Sequence, residues 1–298
     1  MIKADAILSA DLHIRPDTPV GRIDDYFAAQ EMKLNFIFDL SRKNECPILV
    51  AGDFGNKHQW PNWLLEWFIE LSDGIELLLV PGQHDLPNHK LELLPRSGLG
   101  VLRADRTIKI IEKQIFFLTN DYLIEPFPYG TEISHRSASK EKRILAMAHQ
   151  MVLENKPLWP GQKAPKGHQL LKKFPEYDLI LTGDNHNAFT VEYKGRCLVN
   201  PGSMMRMTAA QEDHQPRVYL WWAKNNKIKP VYLPIEPNVI SRVHIDIVKD
   251  RKSRMTALVN RVKDDVEIAL SYKHNLENHF NKHKTRKRTI EKVWEAHG

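Results

Sequence analysis

Short apolar runs alternate with segments of helical period through the first half of the chain. ADAILSA (4–10) reads as a buried strand. Ile23, Phe27, Leu34, Ile37 and Phe38 recur near a 3.6-residue period and predict a helix over roughly 23–43. CPILVAG (46–52) is the next strand, Pro61 opens an aromatic-rich helix NWLLEWFIEL, and IELLLV (75–80) is a third strand. This strand–helix order predicts an α/β core with right-handed crossovers.

The second half has a different rhythm. QIFFLTN (114–120), ILAMAH (144–149) and DLILTGD (178–184) are strand-like, and a helix over about 165–174 precedes the last and stops at Pro175. Two hairpins are expected next: AFTVEYKGRCLVN, turning at Lys194-Gly195, and RVYLWWAKNNKIKPVYLPI, turning at Asn225-Asn226. An α/β half followed by a hairpin-rich half predicts two sheets packed face to face with helices outside. IEPNVIS (235–241) reads as a boundary, giving a domain over 1–235 and an appendage over 236–298. In the appendage VHIDIV (243–248) is expected as a strand. Met255, Leu258, Val259, Val262, Val266 and Leu270 share one helix face, and a second short helix contains Ile290, Val293 and Trp294.

Composition narrows the class. The 298 residues are 42% hydrophobic and 27% charged, which is ordinary for a globular protein. No run approaches the roughly 18 apolar residues of a membrane helix, so no membrane partner is expected. Asp5 interrupts the N-terminal apolar run and no small-residue cleavage site follows. The two cysteines, Cys46 and Cys197, offer no disulfide framework or thiolate cluster. A cytoplasmic location is expected, or the host cytoplasm if the chain is phage-encoded. The charge is lopsided. Residues 251–298 carry twelve Lys/Arg against six Asp/Glu, which equals the +6 of the whole chain. The densest part is KHKTRKR (282–288), a cluster suited to nucleic acid or to a solvated helix face.

Candidate chemistry gathers where strands stop. The first strand ends in Asp11-Leu-His13, the second in Gly52-Asp53-Phe-Gly-Asn56 and the third in Gly82-Gln83-His84-Asp85. ILAMA ends in His149, and LILT ends in Gly183-Asp184-Asn185-His186. Ligands of α/β sheets collect beyond the carboxyl ends of strands, so five such ends converge on one place. Mixed carboxylate, imidazole and amide donors suit Mn2+, iron or Zn2+, and a two-metal site suits hydrolysis of a phosphate ester.

The order D-x-H, GD-x-x-N, G-(N)-H-D, H, G-(H)-x-H resembles that of the calcineurin-like metallophosphoesterases. NPGS (200–203) is similar to a segment of the SbcD-type DNA repair nuclease branch and its phage relatives. The resemblance covers roughly residues 4–233. It implies a four-layer αββα sandwich of two mixed sheets with a small C-terminal helical appendage. It also implies two divalent metal ions, Mn2+ preferred, with Mg2+, Fe2+ or Zn2+ as alternatives. By that pattern Asp11, His13 and His186 hold the first metal and Asp53 bridges. Gln83, His149 and Asp184 hold the second. His84 stabilises charge or protonates the leaving oxygen, Asp85 orients its ring, and Asn56 positions substrate or water. Two positions depart from the pattern, Gln83 where the family has Asn and Asp184 where it has His. Both fall on the second metal, which is expected to be harder and weaker.

The resemblance implies a DNA exo- or endonuclease that hydrolyses phosphodiesters with a metal-activated water. The polar loops HRSASKEKR (135–143) and KPLWPGQKAPKGH (156–168) are expected along the phosphate backbone. A phosphodiesterase or phosphatase for nucleotides or other small phosphoesters is the alternative. A non-catalytic nucleic-acid-binding protein is a third. Expected partners are DNA, an SbcC-like ATPase and a second copy of the chain. The apolar face over 255–270 is expected to pack on the core, or else to dock on the coiled coil of such an ATPase.

Overall fold

The computed structural model describes residues 2–112, 116–117, 122–136, 142–270 and 272–296. Its elements run β1 (Ala6–Ser9), α1 (Tyr26–Asn44), β2 (Ile48–Ala51), α2 (Asn62–Leu71), β3 (Leu77–Val80), α3 (Gly98–Asp105), β4 (Lys109–Ile110), β5 (Phe116–Phe117), β6 (Tyr122–Phe127) and β7 (Arg143–Ala148). They continue with α4 (Gly167–Lys173), β8 (Leu179–Thr182), β9 (Phe189–Tyr193), β10 (Arg196–Asn200), β11 (Arg217–Trp222), β12 (Lys227–Tyr232), α5 (Val243–Leu270), α6 (Tyr272–Lys282) and α7 (Lys287–Glu295).

Two mixed six-stranded sheets form, in the orders β12-β11-β1-β2-β3-β4 and β5-β6-β7-β8-β10-β9. In the first, β1 through β4 are parallel and β11 joins β1 antiparallel. In the second, β6, β7, β8 and β10 are parallel, with β5 and β9 antiparallel at the edges.

Alternating side chains build the layers. Leu8, Leu49, Leu78 and Val80 from one sheet meet Tyr122, Leu145, Met147 and Leu181 from the other. Their neighbours Ile7, Ile48, Val50 and Leu79 face away and pack with Leu34 and Phe38 of α1 and Leu64 and Phe68 of α2. On the far side Ile144, Ile180 and Leu198 pack with Leu170 and Leu171 of α4. The result is the αββα sandwich. Its central strands are buried on both faces, which is why they read as continuous apolar runs.

The chain divides into two units, Met1–Ser241 and Arg242–Gly298. Residues after 235 stay with the first unit through Ile23 N–H to Val239 O (3.1 Å) and Ser241 N–H to Gly21 O (2.8 Å). VHIDIV is not a strand but the opening of the 28-residue α5. Its alternation suits either period, and the KDRKSRMTAL that follows contains no breaker, so the helix runs through. Met255, Leu258 and Val259 are exposed rather than packed on a core. The side chains at 262–270 lie outside the described set. So do residues 114–115 and 118–120 of QIFFLTN and 137–141 of the loop expected on nucleic acid. Among the described residues no helix is long and apolar enough to cross a membrane.

Candidate metal centre

The carboxyl ends of β1, β2, β3, β7 and β8 bring their polar residues together across the two sheets. His149, just past β7, holds Ala51 O at the end of β2 through Nδ1 (2.8 Å). The Asp184 backbone N–H, past β8, donates to both carboxylate oxygens of Asp11, past β1 (3.1 Å each). Close approach has a sequence cause at Gly52 and Gly183. A Cβ at Gly52 would sit 2.1 Å from His149 Nδ1, and Gly52 also has φ +82°. A Cβ at Gly183 would sit 2.1 Å from Ala51 O. Asp11, His13, Asp53 and Asp184 all adopt positive φ, between 47° and 76°. Each such non-glycine residue costs on the order of 1–3 kcal/mol, a cost typically concentrated at functional sites.

Asp53 stands at the centre. Its Oδ1 accepts from the His84 backbone N–H (2.9 Å). Its Oδ2 is buried, has no hydrogen-bond partner among the described residues, and is ringed by three imidazole nitrogens. His149 Nε2 is 3.5 Å away, His13 Nε2 3.8 Å and His84 Nε2 3.9 Å. Among the described residues, three sets have donor atoms within 4.8 Å of one another: Asp11/His13/His186, Asp11/Asp53/His149 and His13/Asp53/His84. His13 Nε2 and His186 Nε2 point at each other across 3.1 Å.

The electrostatics favour a cation. Burial, reinforced by Asp53, pushes the Asp11 carboxyl up to about 8. Burial lowers His13 to about 3 and also lowers His186. Burial alone would strip His149 of its proton, but Asp53 outweighs it and raises the group to about 10. The same pairing outweighs burial at Asp53 and holds its carboxyl low. An orphaned carboxylate oxygen, buried acids and inward imidazole lone pairs fit divalent cations. Asp11, His13, His186 and Asp53 would hold one ion, and Asp53 with His149 a second.

Gln83 and Asp184 are brought to this second place but bond to each other. Gln83 Oε1 faces His149 Nε2 at 2.7 Å, and its Nε2 donates to Asp184 Oδ1 at 2.8 Å. The Asp184 carboxylate falls outside all three donor groups.

Asp85 does not orient the His84 ring. It is buried and accepts from three backbone N–H groups: Gly55 (2.8 Å), Gly82 (2.9 Å) and Phe54 (3.2 Å). It therefore ties the turn after β2 to the turn after β3. His84 Nδ1 instead meets the backbone carbonyl of Asn56 at 3.0 Å. That carbonyl positions the ring. His84 is 45% exposed, so its Nε2 edge is open to a substrate.

Asn200 was not singled out from sequence. Its Oδ1 accepts from Thr182 Oγ1 (3.0 Å), and its Nδ2 donates to the carbonyls of Asn185 (2.6 Å) and Asn187 (2.8 Å), on either side of His186. Ser203 N–H donates to His186 O (3.1 Å), and Met204 N–H to Asp11 O (3.1 Å). NPGS thus braces the His186 loop, and Met204 after it braces the Asp11 loop. Of the two loops expected on nucleic acid, 156–168 is largely exposed, and its Lys166 bridges Leu153.

The calcineurin-like phosphoesterase family matches residues 7–188. No curated protein matches the chain. Similar solved structures include a novel archaeal phosphodiesterase, 12% identical, covering 76% of this chain and 99% of that one, with TM-score 0.43. Another is a putative 5'-nucleotidase from Staphylococcus aureus in complex with alpha-ketoglutarate, 15% identical, covering 79% and 54%, with TM-score 0.43.

Proposed function

The chain belongs to the calcineurin-like phosphoesterases, metal-dependent hydrolases, and we propose that it is a phosphodiesterase whose substrate is a polynucleotide. The observation that carries the hydrolytic part is Asp53 Oδ2, buried without a hydrogen bond and surrounded by the imidazoles of His13, His84 and His149.

Divalent cations bound there would supply electrophilic charge for a phosphoryl oxygen and for water, and the mixed carboxylate and imidazole donors suit Mn2+, iron or Zn2+. The remaining roles fall to this chain's own groups. His84 Nδ1–H donates to Asn56 O, which fixes the ring and leaves Nε2 for the substrate. There a protonated Nε2 hydrogen-bonds a phosphate oxygen or hands its proton to the leaving alkoxide. Asp85 holds the two turns that present Asp53 and His84. Asn200 holds the loop that presents His186.

The polynucleotide part draws on the likeness of NPGS to a segment of SbcD-type nucleases, and on the placement of the chain's entire net charge after residue 241. Residues 242–298 hold 14 of the 43 Lys/Arg and 8 of the 37 Asp/Glu. One observation favours a smaller phosphoester: residues 1–241 are formally neutral, so no net field draws a polyanion to the site itself. Mn2+-dependent cleavage of end-labelled single- and double-stranded DNA, run beside a chromogenic phosphodiester, separates the two. DNA cleavage supports the nuclease. Turnover of the chromogen alone assigns the smaller substrate.

A further inference from the structure

The unit formed by residues 242–298 contains an open pocket of about 510 Å3 between the start of α6 and one side of α7. Tyr272, Arg286, Arg288, Thr289 and Lys292 line it. Neither acid of α7, Glu291 nor Glu295, contributes to the wall. Among the described residues, Arg286, Arg288 and Lys292 have no carboxylate partner.

This is a costly arrangement for a structural surface. Arg288 and Lys292 are four residues apart on one helix, where like charges repel. Arg286 and Arg288 also crowd the positive end of the α7 dipole, whose first turn contains no acid. The other face of α7 is used for packing: Trp294 meets the buried Phe280 of α6 edge-on at 5.9 Å. The amphipathic helix is therefore anchored on one side and presents its cations on the other. Two guanidiniums, an ammonium and a hydroxyl around one hollow suit phosphate oxygens. Tyr272, 55% exposed, stands at the rim.

We propose that this pocket is a nucleic-acid anchor that grips the phosphodiester backbone of a strand, separate from the metal centre. Its benefit to catalysis rests on the polynucleotide reading above, but its binding does not. The anchor adds affinity and salt dependence without sequence preference, because it reads phosphates.

The test is fluorescence anisotropy of a labelled 20-nucleotide single strand with the full chain in EDTA, over a range of salt. The variant combines Arg286→Gln, Arg288→Gln and Lys292→Gln, with Arg286→Lys/Arg288→Lys as the charge-keeping control and circular dichroism as the check on helix content. The triple variant should lose at least tenfold in affinity, and its log K against log [salt] slope should flatten by about two, since each lost phosphate contact removes about 0.7. The charge-keeping variant should stay within about threefold of the wild type. Unchanged affinity or slope in a folded triple variant overturns the anchor. So does inorganic phosphate displacing the strand at equal concentration, or binding to anionic vesicles in place of the strand. Mn2+-dependent turnover of bis-p-nitrophenyl phosphate should be the same in both proteins. Its absence from the wild type overturns the hydrolytic reading and leaves the anchor standing.

Discussion

Gln83 donates its side-chain amide hydrogen to Asp184, Nε2 to Oδ1 at 2.8 Å, while its carbonyl oxygen faces His149. The two residues that depart from the family pattern are therefore partners. The longer amide spans to the shorter acid, and the acid lies outside the donor groups. Two unequal metal positions are therefore expected. Isothermal titration of the metal-free protein with Mn2+ should show two classes at least about tenfold apart, and Gln83→Ala should abolish only the weaker. Two equally tight ions would contradict this.

Asp85 is the tie between the β2 and β3 turns. Asp85→Ala leaves the N–H groups of Phe54, Gly55 and Gly82 buried without that acceptor. Each unsatisfied donor costs roughly 1–3 kcal/mol. A drop in thermal midpoint of several degrees is expected, with the far-ultraviolet spectrum retained. A midpoint within one degree of wild type, read by differential scanning fluorimetry, would refute the tie.

Asn200→Ala removes both donors that hold the carbonyls flanking His186. Metal affinity should fall about 10–100-fold, as for other groups that orient a ligand from behind. Calorimetry with Mn2+ checks it, and an unaltered first site would remove Asn200 from the account.

The buried Lys33 gives stability a pH dependence remote from the metals. Burial, then the neighbouring charges of Arg22 and Arg206, lowers its ammonium to about 7, while Nζ donates to Met204 O (3.1 Å). Between pH 7 and the ordinary lysine value the unfolded chain binds this proton and the folded chain does not, so stability rises with pH across that window. Below pH 7 the penalty is fully present. Urea midpoints at pH 6 and pH 9 should therefore shift upward more for wild type than for Lys33→Met. Equal shifts would show that Lys33 titrates normally.

The sandwich was legible because its strands announce themselves. ILVA and LLLV are apolar on both faces and stop at Gly-Asp and Pro-Gly, where side chains must turn toward a ligand. The donor types were legible for the same reason, since each follows a strand end. Their connections were not. The resemblance implied that Asp85 serves His84, yet a 3-10 turn over Gln83–Asp85 sends its carboxylate back into the backbone of residues 54, 55 and 82. NPGS drew notice as a segment, but the bracing role of its Asn200 emerges only from the register that sets β10 beside β8 and so places it against Thr182. VHIDIV misled because six alternating residues fit a strand as well as a helix, and what settled it lies in the breaker-free sequence after it.

The central claim is that the Asp53 centre hydrolyses phosphodiesters with His84 at the substrate's edge. It is tested most directly by Mn2+-dependent turnover of bis-p-nitrophenyl phosphate by wild type, His84→Ala and Asp53→Asn, each with its Mn2+ affinity measured. The wild type should turn over and lose activity in EDTA. His84→Ala should lose about 10²–10⁴-fold in kcat while keeping its tight Mn2+ site, as expected for loss of a proton donor. Asp53→Asn should lose both. Full activity in His84→Ala, or turnover by wild type that survives thorough chelation, would contradict the account.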